Sequence, residues 1–230
     1  MENIAVDVVF LAGGFGTRLG ALTKTTPKPL VNVGCRPFIH YPMDHLASSG
    51  LARKFIMCTG YLADQFTALG THFKSVPIQY LREEAPLGTG GALVAAVGEI
   101  SSDFFLLING DTYIDFDVST FISACVQNNQ MGLVVTTVPD VSQTGWEIKT
   151  IDAGATYTAS DRSSVGRINA GVYFLRKSFV QTLPIHPFSL EDKILKERDI
   201  FKHFMLFQHD GKFIDMGTLE GLQRARTILC

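Results

Sequence analysis

A mostly parallel, mixed sheet flanked by helices is the α/β fold that three observations in this sequence predict. Val6–Ala12 and Phe104–Ile108 are short runs apolar on both faces, the pattern of buried parallel strands. Segments of helical spacing alternate with strands through the first half of the chain, which implies a doubly wound sheet. Chemically loaded residues stand just past three strands, at Gly13–Leu19, Asn109–Asp111 and Asp215–Thr218, where sheets of this kind open their ligand crevice.

Val6–Ala12 is the first strand and runs into a glycine-rich loop over Gly13–Gly20. Pro27 and Pro29 break any helix, so Thr23–Val33 is expected to be extended or looped. The spacing of Phe38, Tyr41 and Leu46 predicts a helix over Pro37–Ser49, stopped by Gly50. Lys54–Thr59 and Ile78–Leu81 read as strands, with a short helix at Ala63–Leu69 between them. Pro86–Gly91 is a second glycine-rich loop, and a helix over Ala92–Val97 follows it. Phe104–Ile108 is the clearest buried strand, Val118–Asn128 a helix and Gly132–Val138 a strand. The pattern then changes. Trp146–Ile151 and Ala170–Leu175 read as strands with short connections, Ala153-Gly154 as a turn and Asp161–Gly166 as a polar loop, so an insertion or an antiparallel edge is expected. Ser189–Leu195 is a helix, Phe213–Met216 a strand and Leu219–Ile228 a terminal helix.

A chain of 230 residues can bury one sizeable core, and a single domain over 1–230 is expected. Twenty Lys and Arg against 22 Asp and Glu leave no basic excess, so nucleic acid is not an expected partner. Cys35, Cys58, Cys125 and Cys230 form no Cys-x-x-Cys pair and the histidines are dispersed, so neither a disulfide framework nor a structural zinc is expected. The N-terminus lacks a basic region followed by an apolar stretch, and no run is long enough to span a bilayer. A cytoplasmic protein without a membrane partner is the expectation, and a homodimer is the base rate for such enzymes.

Five segments carry chemistry. In Gly13-Gly14-Phe15-Gly16-Thr17-Arg18-Leu19, glycines let backbone N–H groups wrap a phosphate chain, and Arg18 can neutralise phosphate oxygens. A dinucleotide fingerprint would need glycine where Leu19 stands, and a Walker-type loop would need Gly-Lys-Ser/Thr where Gly16-Thr17-Arg18 stands. Pro27 and Pro29 hold Lys28 on a stiff backbone, useful for charge developing in phosphoryl transfer; a solvated loop lysine is the plain alternative. Pro86-Leu87-Gly88-Thr89-Gly90-Gly91-Ala92 brings backbone groups and the Thr89 hydroxyl within reach of a base edge or a phosphate. Asp111 and Asp215 each end an apolar strand, where two carboxylates suit Mg²⁺, although either alone could be a turn former or helix cap.

Taken in order, Gly13–Leu19, Pro27–Leu30, Pro86–Ala92, Asn109–Asp111, Asn169-Ala170-Gly171-Val172-Tyr173 and Asp215–Thr218 resemble the motifs of the sugar-1-phosphate nucleotidyltransferase family over nearly the whole chain. The resemblance implies a Rossmann-like nucleotidyltransferase fold, here without the C-terminal β-helix of larger members. It also implies a nucleotide-binding half over about 1–135 and a sugar-phosphate-binding half over about 136–230. Within the family, the length and the Pro86–Ala92 loop look most like guanylyltransferases acting on heptose 1-phosphate, so GTP is the favoured triphosphate. Mannose-1-phosphate guanylyltransferases and short N-acetylmuramate-1-phosphate uridylyltransferases are the rivals.

Carried over by motif, Leu11, Gly13 and Gly14 contact the nucleoside, Gly16, Thr17, Arg18 and Lys28 its phosphates, and Gly88 and Thr89 the base. Asp111 and Asp215 are the implied Mg²⁺ ligands, with Arg18, Lys28 and Asp111 as the catalytic set. Gly145 and Asn169 fall where the family holds the sugar. Where the family commonly has Glu-Lys upstream of Asn169, this chain has Asp161-Arg162. Arg162 is therefore the expected sugar-phosphate ligand, with Arg167 as the alternative. Glu147 either accepts sugar hydroxyls or is a solvated strand residue. A metal-dependent glycosyltransferase using Asp115-Phe116-Asp117, and a non-catalytic regulatory subunit that binds a nucleotide sugar, are the competing readings.

Overall fold

The computed structural model describes residues 4–137, 147–151, 156–160 and 167–230. Its strands are β1 (Val6–Leu11), β2 (Asn32–Val33), β3 (Arg36–Pro37), β4 (Ala52–Thr59), β5 (His72–Phe73), β6 (Val76–Arg82) and β7 (Phe104–Asn109). They continue with β8 (Thr112–Ile114), β9 (Met131–Thr137), β10 (Glu147–Ile151), β11 (Thr156–Ser160), β12 (Arg167–Arg176), β13 (Phe204–His209) and β14 (Phe213–Asp215). The α-helices are α1 (His40–Ser48), α2 (Gly88–Ala96), α3 (Val118–Gln127), α4 (Lys177–Val180), α5 (Leu190–Lys196), α6 (Arg198–Phe201) and α7 (Leu219–Leu229). Among the described residues no helix is long and apolar enough to cross a membrane.

Ten strands form the main sheet, in the order β11-β10-β12-β7-β1-β4-β6-β5, with β9 beside β12 and β13 beside β9. β6, β4, β1 and β7 are mutually parallel. β12 runs antiparallel to β7 and β9 and closes that side. The chain leaves β1 for β4 and β6 on one flank, then crosses back to β7 on the other. The carboxyl ends of β1 and β7 therefore lie side by side with connections departing in opposite directions, which opens a crevice between them.

β1 shows why both faces must be apolar. Val6, Val8 and Phe10 enter a core that includes Met43 and Leu46 of α1 and Phe121 and Ile122 of α3. Val9 enters the opposite core with Leu93 and Ala96 of α2 and Ile194 of α5. Full burial of side chains this size contributes about 1.5–3 kcal/mol each. A third cluster joins Leu19, Val31 and Phe38 to Ile214 and Met216, under Leu222 and Ala225 of α7. It fixes the segments that carry Lys28 and Asp215.

Several expectations need correction. Phe213–Met216, read as a strand, is β14 over Phe213–Asp215, and among the described residues it pairs with β8 in a two-stranded ladder outside the main sheet. The Pro86–Gly91 loop is shorter than expected, because α2 already begins at Gly88. The extended Thr23–Val33 segment contains a 3-10 turn over Lys28–Leu30, in which Pro29 needs no N–H partner. The turn at Ala153-Gly154 and the loop at Asp161–Gly166 lie outside the described residues.

Candidate active site

A cavity of about 360 Å³ opens at the crevice between β1 and β7. Leu11, Gly13 and Gly14 leave β1 along one wall; Lys28 and Pro29 form another; Glu83, Gly88 and Thr89 a third; and Asn109 and Asp111 the floor. A second cavity of about 240 Å³ shares Gly13, Phe15 and Glu83 with it.

The loop after β1 is shaped by two glycines. A side chain on Gly13 would begin 2.6 Å from Glu83 Oε1, so glycine there lets the loop pass that carboxylate without displacing it. Gly16 has φ of 65°, a left-handed turn that glycine adopts without strain. Its carbonyl accepts from the Thr23 hydroxyl at 2.9 Å and from Leu19 N–H at 3.0 Å. Gly16 and Thr17 thus turn the chain at the rim, past the cavity wall, and Arg18 beyond them reaches the other acidic segment. An Arg18 guanidinium nitrogen lies 3.0 Å from where a side chain on Gly217 would begin.

On the floor, the Lys28 ammonium pairs with Asp111, their side chains 14% and 20% exposed. Asp215 comes alongside because β14 pairs with β8 (Asp215 opposite Thr112) and Met216 N–H donates to the Asp111 carbonyl at 2.9 Å. Burial, and next the Asp111 carboxylate, push the Asp215 acid up to about 6; the Gly217 N–H and the Lys28 and Arg18 cations pull the other way. Two acids that repel each other beside the glycine loop can serve as oxygen donors for a hard divalent cation. Among the described residues no group of three or more His, Cys, Asp or Glu side chains gathers as a metal site. Mg²⁺, which keeps several waters, fits a two-carboxylate site better than a cation needing a full protein cage.

Other expected site residues are placed differently. Thr89 lines the cavity, but its hydroxyl is spent on α5: it donates to Glu191 Oε2 at 2.6 Å and accepts from Leu190 N–H at 2.8 Å. The Asn169 amide donates to the Tyr173 hydroxyl and accepts from Gly171 N–H at 2.8 Å. Arg167 sits at the start of β12, opposite Thr137 of β9 and Ile148 of β10. Glu147 lies in β10, and Gly145 and Arg162 fall outside the described residues.

The Asp115-Phe116-Asp117 metal motif of the glycosyltransferase reading is dismantled. Asp115 pairs with His209 Nε2 at 2.6 Å, and Asp117 caps α3 by accepting from Thr120 N–H at 2.9 Å. Glu83 is a wall residue that the motifs did not flag. Burial raises its acid, and only a Leu87 N–H at 3.2 Å opposes this. Its sequence signal was an acidic pair, Glu83-Glu84, directly after the β6 strand.

A glycine loop, paired acids and fixed cations gathered at the switch point of a mostly parallel sheet define an α/β enzyme of nucleotide chemistry. The chain belongs to the nucleotidyl transferase family, whose model matches residues 7–157. D-glycero-alpha-D-manno-heptose 1-phosphate guanylyltransferase of Aneurinibacillus thermoaerophilus is 28% identical over 224 residues, covering 96% of this chain and 97% of that protein. Mannose-1-phosphate guanyltransferase of Aspergillus fumigatus is 31% identical over 92% of this chain, which spans 61% of its length. The crystal structure of HddC from Yersinia pseudotuberculosis complexed with GMP-PN matches with a TM-score of 0.84 and 31% identity, over 98% of this chain and 100% of that one.

Proposed function

We propose that this enzyme joins GTP to a sugar 1-phosphate, with D-glycero-α-D-manno-heptose 1-phosphate first among the sugars, to give GDP-heptose and pyrophosphate. The observation that carries the reading is the Asp111–Asp215 pair with Lys28 at the floor of the cavity. The sugar phosphate is anionic at neutral pH and needs no general base. Its oxygen forms a bond to the α-phosphorus as the bond to pyrophosphate breaks, and the protein supplies alignment and counter-charge. Lys28 and Arg18 supply fixed cations for the departing pyrophosphate. Asp111 and Asp215 would hold Mg²⁺, which when bound neutralises phosphate charge. Arg162 or Arg167 receives the incoming phosphate, and Gly145, Glu147 and Asn169 the sugar, so residues 1–135 hold the nucleotide and 136–230 the sugar phosphate.

Glu83 supports guanine. A carboxylate on the cavity wall can accept from both the N1–H and the 2-amino group of guanine, a donor pair that neither uracil nor adenine offers along one edge. Mannose 1-phosphate is the second reading for the sugar, favoured by the 31% identity to a mannose-1-phosphate guanyltransferase. We place the enzyme in the cytoplasm, where nucleotide sugars for cell-surface polysaccharide are made, and expect a homodimer.

The test offers four nucleoside triphosphates, with Mg²⁺, against the 1-phosphates of heptose, mannose, glucose and N-acetylmuramate. Pyrophosphate release greatest with GTP and heptose 1-phosphate supports the reading. Release of nucleoside diphosphate, or of nothing, sinks it.

A further inference from the structure

The glycines of Gly88-Thr89-Gly90-Gly91 have an occupant of their own. The Phe188 carbonyl fills the space a side chain on Gly88 would need, and the Phe188 ring fills that of Gly90. Gly90 N–H donates to the Phe188 carbonyl at 3.0 Å, and Phe188 N–H donates to the Leu87 carbonyl at 3.1 Å. Three residues on, Glu191 Oε2 accepts from the Thr89 hydroxyl at 2.6 Å and from the Ser189 hydroxyl at 3.1 Å. A strap from the second half of the chain is thus laced to the first turn of α2, which is a wall of the larger cavity.

That turn has little else to hold it. Gly88, Gly90 and Gly91 are poor helix formers, each costing about 1 kcal/mol relative to alanine. Leu87 at the N-cap makes no side-chain capping bond. The Thr89 hydroxyl has one proton, which goes to Glu191, so it has none for a base. On its other side Glu191 lies near the buried Tyr173 phenol: burial pushes that phenol far up and the Glu191 carboxylate adds to the shift. Tyr173 in turn accepts from the Asn169 amide.

We propose that Glu191 is a positioning residue for the nucleotide base, acting through Thr89 to keep the first turn of α2 in place as a rigid wall of the cavity. The proposal rests on the guanylyltransferase reading above and assigns Thr89 an indirect part in it.

The test measures kcat, KM for each substrate and the preference for GTP over UTP, with thermal unfolding alongside. Glu191→Ala is expected to raise KM for GTP about fivefold, the loss of one good hydrogen bond, and to narrow the GTP-to-UTP preference, with kcat and KM for the sugar phosphate nearly unchanged. Glu191→Gln, whose amide oxygen can still accept from Thr89, recovers most of this. Thr89→Val, similar in shape but without the hydroxyl, reproduces the loss, and adding Glu191→Ala to it makes matters no worse. If Glu191→Ala does not fold at the assay temperature, Thr89→Val and Glu191→Gln carry the comparison. Unaltered KM and base preference in Thr89→Val overturn the proposal, as does a Glu191→Gln variant as impaired as Glu191→Ala. Should the wild type release no pyrophosphate, the catalytic reading fails by itself, and GTP binding to the same variants by calorimetry still decides the role of Glu191.

Discussion

Asp7, the second residue of β1, has no exposed surface, and the chain meets its charge in full. Arg53 donates to both carboxylate oxygens at 3.0 Å, and Ser101 N–H donates at 2.6 Å. Burial alone would raise this acid, but the Arg53 and Ser101 bonds outweigh it and hold it below its ordinary value of 3.8. A depressed folded-state value stabilises the fold above the ordinary value and loses that stabilisation as pH falls through the folded one. Asp7→Asn is therefore expected to cost about 2 kcal/mol from pH 8 down to pH 5. Below pH 4 the gap to wild type should close in urea unfolding curves; a gap that stays constant to pH 3 contradicts the account. Asp215 is the opposite case, raised to about 6. It favours the fold while protonated, and that contribution is lost as pH rises through 6. Asp215→Asn should therefore raise the stability of metal-free protein at pH 8 by roughly 1–3 kcal/mol, while slowing turnover by about 10²-fold or more. A variant less stable than wild type in EDTA at both pH 5 and pH 8 would show that the acid is a structural group.

At the scale of elements, the capping of α3 gives a test that separates structure from chemistry. Asp117→Ala removes the bond to Thr120 N–H and should cost about 1 kcal/mol by thermal unfolding. It should leave pyrophosphate release intact, whereas a metal-ligand role for Asp117 requires its collapse. The parallel strands β1, β4 and β7 were legible because burial on both faces demands largely apolar runs, and the charged Asp7, Arg53 and Lys54 stand near the starts of β1 and β4. Ser189 and Thr218 cap α5 and α7, each accepting from an N–H three residues on, although Ser189 was read as part of its helix. β13 was not legible. It pairs along β9 through backbone groups, and its run of Phe204, Met205, Leu206 and Phe207 is too short to tell a strand from a helix segment, since the Asp210-Gly211 turn signal that follows would bound either. The start of α2 was misread because glycine is a poor local helix former. What makes those glycines helical is Phe188, about a hundred residues further along the chain.

The whole molecule brings three distant loops to one point, and this much the sequence already implied, since each follows an apolar strand. Two things were hidden. Asp215 arrives through a two-stranded ladder under α7 and not through the main sheet, a route no local pattern encodes. Glu191 owes its place to packing between segments about a hundred residues apart, and Glu83, although part of an acidic pair after β6, gives no local sign that it faces Gly13 across the cavity. A site assembled from the whole chain couples ligand binding to global stability. At a concentration of Mg²⁺ and GTP one hundred times the Kd, binding should add about 2.7 kcal/mol. For a protein of this size that raises Tm by roughly 5–10 °C. EDTA should remove most of the shift if the cation bridges protein and phosphate. Asp111→Asn should shrink it by more than half while leaving the unliganded Tm within a few degrees, because Asp111 sits at the cavity floor and not in a core cluster. Scanning fluorimetry reads both numbers in one plate. Equal shifts in wild type and Asp111→Asn, or a shift indifferent to EDTA, would remove the acidic pair from nucleotide binding.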